Sequence, residues 1–269
     1  MNYRHGYHAG NFADVVKHIA LVAILLHLRK KETAFSVVDS HAGRGTYDLS
    51  SGQSLRTGEA AQGVGRLRGL SGNLPEAVST YLSLVGEEKL YPGSPLIAAR
   101  LLRPQDRLTA IEKHPQEFEA LRKALSPFRN AVAEQGDGYS RVIKLMPPSS
   151  RRGLVLLDPP FEADEEFSEL ARALRDSYRK FATGTYLAWY PIKSQAAADA
   201  FTGEVLAGGM AKAMVIETSI SAPEGKLGQA GLLVINPPYG LDAAMRASAA
   251  LIAPRIEARI GTRWIAGSE

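Results

Sequence analysis

The sequence predicts a doubly wound α/β domain, in which a parallel sheet of seven strands is covered by helices on both faces. Three observations carry that reading. Seven short apolar, β-branched runs recur along the 269 residues. Stretches of helical periodicity separate most of them, and the first run ends in a glycine-rich turn. The runs are residues 35–38, 108–111, 131–133, 154–157, 186–189, 214–216 and 232–235.

Before the first run, residues 14–31 place Val15, Ile19, Val22, Leu25 and Leu26 at helical spacing. The apolar part of this segment is too short to span a bilayer and leads into Arg29-Lys30-Lys31. It reads as a buried helix rather than an anchor or a leader. Helices are also expected over residues 115–125 and 164–181, and in a last one from Leu241 that meets Pro254. Residues 48–92 break the rhythm, because a single α/β connection needs far fewer residues. Their first part is rich in Gly, Ser, Gln and Arg, and residues 75–85 read as helix. The division expected is therefore one sheet domain, residues 1–47 and 93–269, with a small helical insertion at 48–92.

Composition narrows the function. Lys and Arg total 32 against 28 acids, a net charge of +4 that permits a polyanionic partner without requiring one. Cysteine is absent. Disulfides, thiolate metal sites and cysteine nucleophiles are thereby excluded, and a cytoplasmic setting fits. His5 and His8 have no acidic cluster beside them, so no metal is expected.

Four strand ends carry candidate chemistry. VVDSHAGRGTYDL puts Asp39, His41, Gly43 and Gly45 directly after strand one, where a Gly-x-Gly turn lets backbone approach a nucleotide. Asp48 stands where the dinucleotide fingerprint has its third glycine, which favours another adenosine-containing ligand over nicotinamide. Glu112, ending strand two, could accept from ribose hydroxyls or could be an ordinary acid at a helix start. Asp137 ends strand three, where it suits an adenine amino group or an Asp-Gly turn. At the end of strand four, Asp158-Pro159-Pro160-Phe161 makes a rigid elbow with few backbone donors. Its carboxylate and the Pro159 carbonyl suit an exocyclic amine, and Phe161 suits stacking on a flipped-out base. Strand seven ends in a similar Asn236-Pro237-Pro238-Tyr239. Chain order favours Asp158, since strand four should lie beside strand one, and strand seven near an edge.

The amino terminus gathers Tyr3, Arg4, His5, Tyr7, His8, Asn11, Lys17 and His18 within 18 residues. Aromatic and basic groups on a terminal arm suit a base and a phosphate.

YRHGYHAGNFADVVKH, DSHAGRGTYDL, YPGSP, IEKHP and LLDPPFE, in this order over nearly the whole chain, resemble the RlmJ-type 23S ribosomal RNA adenine-N6 methyltransferases. The resemblance implies a Rossmann-like class I fold with a helical insertion, S-adenosyl-L-methionine as methyl donor, and a cytoplasmic monomer. It implies adenine 2030 of 23S rRNA as the target, with protein-free RNA preferred. Carried over by motif, His18, His41, Ser94, Glu112, Asp137, Gly138 and Asp158 would contact the cofactor. Asp158 would be catalytic, Tyr3 would act at the RNA, and Lys17 and Phe161 would lie on the substrate side. Asn11 shares the opening block. Phe161 stands where many relatives have tyrosine, so stacking survives there but a hydroxyl role does not. A DNA adenine or glutamine-amide methyltransferase would use the same elbow, and a non-catalytic RNA-binding module could keep the fold.

Overall fold

The computed structural model describes residues 7–86, 89–163, 165–223 and 225–269. The helix α1 (Phe12–Arg29) precedes β1 (Ser36–Asp39). A two-stranded ribbon, β2 (Thr46–Asp48) and β3 (Leu90–Pro92), brackets α2 (Gly52–Thr57), α3 (Glu59–Gln62) and α4 (Glu76–Val85). From α5 (Ser94–Leu101), strand and helix alternate: β4 (Arg107–Glu112), α6 (Pro115–Leu125), β5 (Ala131–Gln135), α7 (Gly138–Leu145). There follow β6 (Gly153–Leu157), α8 (Glu166–Lys180), β7 (Thr185–Pro191) and α9 (Gln195–Leu206). A hairpin of β8 (Ala213–Ile220) and β9 (Gln229–Ile235) comes next, then α10 (Leu241–Ile252) and β10 (Ala258–Ala266).

The main sheet runs β10-β8-β9-β7-β6-β1-β4-β5. Alternate residues of each inner strand feed opposite cores: Leu154 and Leu156 of β6 join one, Val155 and Leu157 the other. Helices α1, α4, α5, α6 and α10 cover the first face, and α7, α8 and α9 the second. The architecture is the doubly wound, Rossmann-like one that the alternating runs predict. All seven expected strands are present.

Two expectations need correction. The sheet has eight strands, because β10 pairs antiparallel with β8 at the edge. Its side chains alternate between half-buried and exposed, with Arg259, Gly261 and Arg263 among them, so no apolar run announces it. Strand seven, here β9, lies inside the sheet between β7 and β8 rather than near an edge, antiparallel to both. The hairpin is the cause: with no helix between β8 and β9, the chain reverses and fills the gap beside β7.

Helix α1 is buried on nearly every side, between the sheet and helices α4, α5 and α10. Asn11 caps it, its Oδ1 accepting the Ala13 and Asp14 amides at 3.0 and 2.9 Å. The 48–92 segment shares this core through Val64, Leu67, Val78 and Tyr81. Helix α10 ends at Ile252, just ahead of Pro254. Among the described residues, no helix is long and apolar enough to cross a membrane.

Candidate active site

A cavity of about 830 Å³ opens at the carboxyl ends of the parallel strands. Strand β1 has β4 on one side and β6 on the other, so the chain changes winding direction here and the loops diverge. Every predicted site residue within the described part lines this cavity: Lys17, His18 and His41; Ser94, Glu112 and Asp137; Gly138, Asp158 and Phe161. Tyr3 lies outside the described residues.

Gly43 and Gly45 have φ values of +62° and +82°, a backbone that L side chains rarely adopt. Their turn brings the Gly43 amide to Glu112 Oε2 at 2.9 Å, while the His114 amide reaches Oε1 at 2.7 Å. The Glu112 carboxylate is therefore pinned, with lone pairs left over for a ligand. Burial raises its pKa against those two bonds. Asp137 caps α7 by accepting the Ser140 amide at 3.0 Å, and it meets Lys113 Nζ at 3.2 Å. Partial burial would raise its pKa, but these bonds hold it below the usual value. At Gly138, a Cβ would stand 2.1 Å from the Ser40 carbonyl oxygen and 2.9 Å from the His41 ring. Only glycine lets α7 start this close to the β1 turn.

His41 hydrogen-bonds Ser40 Oγ through Nδ1 at 2.7 Å and meets Tyr139 edge to face at 4.7 Å. Desolvation pushes its pKa down to about 4, so the imidazole is neutral at pH 7. His18 is buried, stacked on Tyr91, with Nδ1 at 2.8 Å from the Tyr91 hydroxyl.

The centre of the site is ionic. Lys17 Nζ donates to Asp14 Oδ1 at 2.7 Å and to Asp158 Oδ2 at 2.5 Å. Burial lowers the pKa of the ammonium, but the two carboxylates outweigh it and raise the pKa above the usual lysine value. Asp39, at the end of β1, accepts from Ser94 Oγ at 2.6 Å. Its Oδ1 is buried with no hydrogen-bond partner. Burial, together with the nearby Asp158, pushes its pKa up to about 7. One ammonium among three carboxylates leaves room for a cationic ligand.

The Asp158 elbow faces an aromatic wall. Phe161 adopts φ +52° and meets Phe167 and Trp189 edge to face at 4.8 and 5.7 Å. Trp189 lies on β7, level with Asp158, since Leu157 pairs with Ala188. The two amino-terminal residues Asn11 and His8 both bond Glu59 Oε2, at 3.1 and 3.0 Å.

Sequence reasoning passed over three groups here. Asp14 carries a local signal, three residues before Lys17 on one helical face. Asp39 stands inside a quoted motif but took no role. Trp189 reads only as part of an apolar strand. The Asn236 elbow is at the other end of the sheet, because Ile235 pairs with Tyr186 at the start of β7.

The family model described as "Ribosomal RNA large subunit methyltransferase D, RlmJ" matches residues 32–266. Two proteins named ribosomal RNA large subunit methyltransferase J are similar over most of their length. That of Haemophilus influenzae is 40% identical over 255 residues, 91% of this chain and 90% of its own. That of Escherichia coli is 37% identical over 253 residues, again 91% and 90%. The crystal structure of a Legionella pneumophila protein matches with a TM-score of 0.88 at 32% identity, covering 97% of this chain and 99% of that one. The chain belongs to the RlmJ family of ribosomal RNA large subunit methyltransferases.

Proposed function

We propose that this chain transfers a methyl group from S-adenosyl-L-methionine to the exocyclic N6 of a flipped-out adenine in 23S rRNA, adenine 2030 by family resemblance. One observation carries the reading: Asp158 is held by a buried lysine at the point where the strand order reverses, facing an aromatic wall inside a nucleotide-sized cavity.

The residues present fit the cofactor. Asp39 offers a buried, unpartnered oxygen behind Ser94, suited to an ammonium donor. Glu112 keeps lone pairs for ribose hydroxyls, and Gly138 with Asp137 leaves an edge for adenine. When bound, S-adenosylmethionine supplies an electrophilic methyl group. The chain's own work is at the amine. Lys17 fixes Asp158 Oδ2, which leaves Oδ1 for one N–H of the adenine amine. The Pro159 carbonyl receives no backbone N–H among the described residues and takes the other. Two acceptors turn the nitrogen lone pair out of conjugation with the ring and towards the methyl group. Transfer of the methyl to N6, with its bond to sulfur broken and the neutral thioether left behind, would make the amine acidic, and Asp158 is the adjacent acceptor for the one proton it gives up. Phe161 and Trp189 hold the base and exclude water. In the same reading, residues 48–92 are an insertion whose Glu59 anchors the root of the terminal arm through His8 and Asn11.

Methyl transfer from labelled S-adenosylmethionine to protein-free 23S rRNA, duplex DNA and a protein pool, followed by nucleoside analysis, tests this. Label in N6-methyladenosine from rRNA alone supports the proposal. Label in DNA or protein discards the substrate, and full activity in Asp158→Ala discards the role given to the elbow.

A further inference from the structure

The Asn236-Pro237-Pro238-Tyr239 elbow takes no part in the site, and the end of the sheet where it emerges has an unusual surface. Arg29, Lys30 and Lys31 close α1 there, all exposed. The loop before β4 adds Arg103, β4 opens with Arg107, and the turn before β5 adds Arg129. Arg151 and Arg152 precede β6. Against these eight cations the same segments hold only Glu32 and Asp106, a surplus of six in a chain of net charge +4. The remainder of the molecule is therefore slightly acidic.

The cations are gathered by structure. Arg103 and Arg152 stand over the Phe35 ring at 5.6 and 5.8 Å. Arg103 donates to the Lys31 and Thr33 carbonyls at 2.8 and 3.2 Å, and Arg152 to the Leu28 and Thr33 carbonyls at 2.5 and 2.9 Å. These two arginines act as braces that hold the 29–32 segment against the strand starts. Of the eight, only Arg103 is in an ion pair among the described residues. Helix ends attract basic residues for electrostatic reasons, but Arg107, Arg129 and Arg151 end no helix. Tyr239 stands at the margin, 82% exposed, with its backbone beside His27 of α1. Beyond it Glu269 accepts from the Gly240 amide at 2.5 Å.

Unpaired cations with an exposed aromatic ring at their edge match a phosphodiester backbone with an accessible base. We infer that this rear end of the sheet is a second RNA-binding surface, which grips the backbone of the substrate RNA away from the cavity. The inference rests on the reading of RNA as substrate. From Lys17 to Lys30 along α1 the distance is about 20 Å. A short oligonucleotide seated in the cavity stops short of the surface, while a long folded rRNA reaches both.

The test uses the full chain with Lys30, Lys31, Arg129 and Arg151 changed together to Gln; all four are exposed, and the braces stay in place. Binding of a full-length 23S rRNA transcript and of a three-nucleotide RNA, about 10 Å long, is measured from 50 to 200 mM salt, with cofactor affinity and thermal denaturation as controls for folding. Transcript affinity is expected to fall tenfold or more, with a log–log salt slope shallower by about 1 to 3. Binding of the short RNA stays unchanged. Tyr239→Ala should weaken the transcript by a smaller factor without altering the slope. Unchanged transcript affinity and slope in a folded quadruple variant overturns the inference. So does a loss of binding to polyglutamate in place of RNA, which would assign the surface to an acidic protein. Because binding is read without methyl transfer, failure of the rRNA reaction leaves this result to stand or fall independently.

Discussion

Two elbows of this chain differ little in sequence and entirely in use. Asp158-Pro159-Pro160-Phe161 and Asn236-Pro237-Pro238-Tyr239 each follow a buried apolar strand, and each holds a non-glycine residue at positive φ, Phe161 at +52° and Asn236 at +50°. Strand β6 runs parallel to β1, so its elbow opens into the cavity and Asp158 meets Lys17 from α1. Strand β9 runs the other way and delivers its elbow to the opposite end. There the Asn236 amide donates to the Ala182 and Gly184 carbonyls, both at 2.8 Å, and ties down the approach to β7. The first elbow borrows a charge from a distant element, and the second serves its own neighbourhood. Strand direction separates the turn proposed as reactive from a fastening.

Removing that borrowed charge should have the largest effect. Lys17→Met leaves Asp14 and Asp158 facing each other, and the expected loss is about 3–5 kcal/mol of stability in chemical denaturation. Wild-type stability in that variant would mean that the pair does not organise the elbow. Asp158→Asn makes the two elbows alike over three residues. Turnover is then expected to fall about 100-fold, with cofactor affinity nearly unchanged by calorimetry. If affinity falls with turnover, the elbow belongs to the cofactor.

Asp39 sharpens the contrast, since it shares the field of the first elbow only. Its pKa is raised from 3.8 to about 7 by burial. Its stabilising contribution is complete below pH 3.8, where folded and unfolded chains are both protonated, and is lost as pH rises through 7. Asp39→Asn should therefore stabilise the ligand-free protein by about 2 kcal/mol more at pH 8 than at pH 5. An unchanged pH profile of stability would place the titration elsewhere. The smallest effect belongs to the second elbow. Asn236→Ala removes two hydrogen bonds and should cost about 1–2 kcal/mol with turnover intact. A fall in kcat would overturn the division between the elbows.

Much of this was legible in the sequence. The seven apolar runs are all strands, and the acids Glu112, Asp137 and Asp158 all follow strands to one edge; in the inner strands burial on two faces leaves a continuous apolar trace, while the edge strand β5 is shorter and partly exposed. Strand β10 left none, having water on alternate side chains. The direction of β9 is also unreadable locally, since an extended run of Leu and Val has the same pattern in either sense. Asp39 gains its importance from Ser94, 55 residues further along the chain, and the Asp14–Lys17 pair gains its own only when Asp158 joins it. Composition and spacing do not record such meetings.

The bond between Lys17 and Asp158 spans 141 residues of chain. At a synthesis rate of about 5–20 residues per second, the lysine leaves the ribosome roughly seven to thirty seconds before its second partner. During that interval Asp14, one turn away, is the carboxylate beside it. The local pair shelters the charge while the core is still incomplete, and the distant carboxylate arrives only with β6. A nascent or truncated chain that ends before β6 therefore has a neutralised lysine and no elbow, so the ionic cluster is complete only once the centre of the sheet has been made.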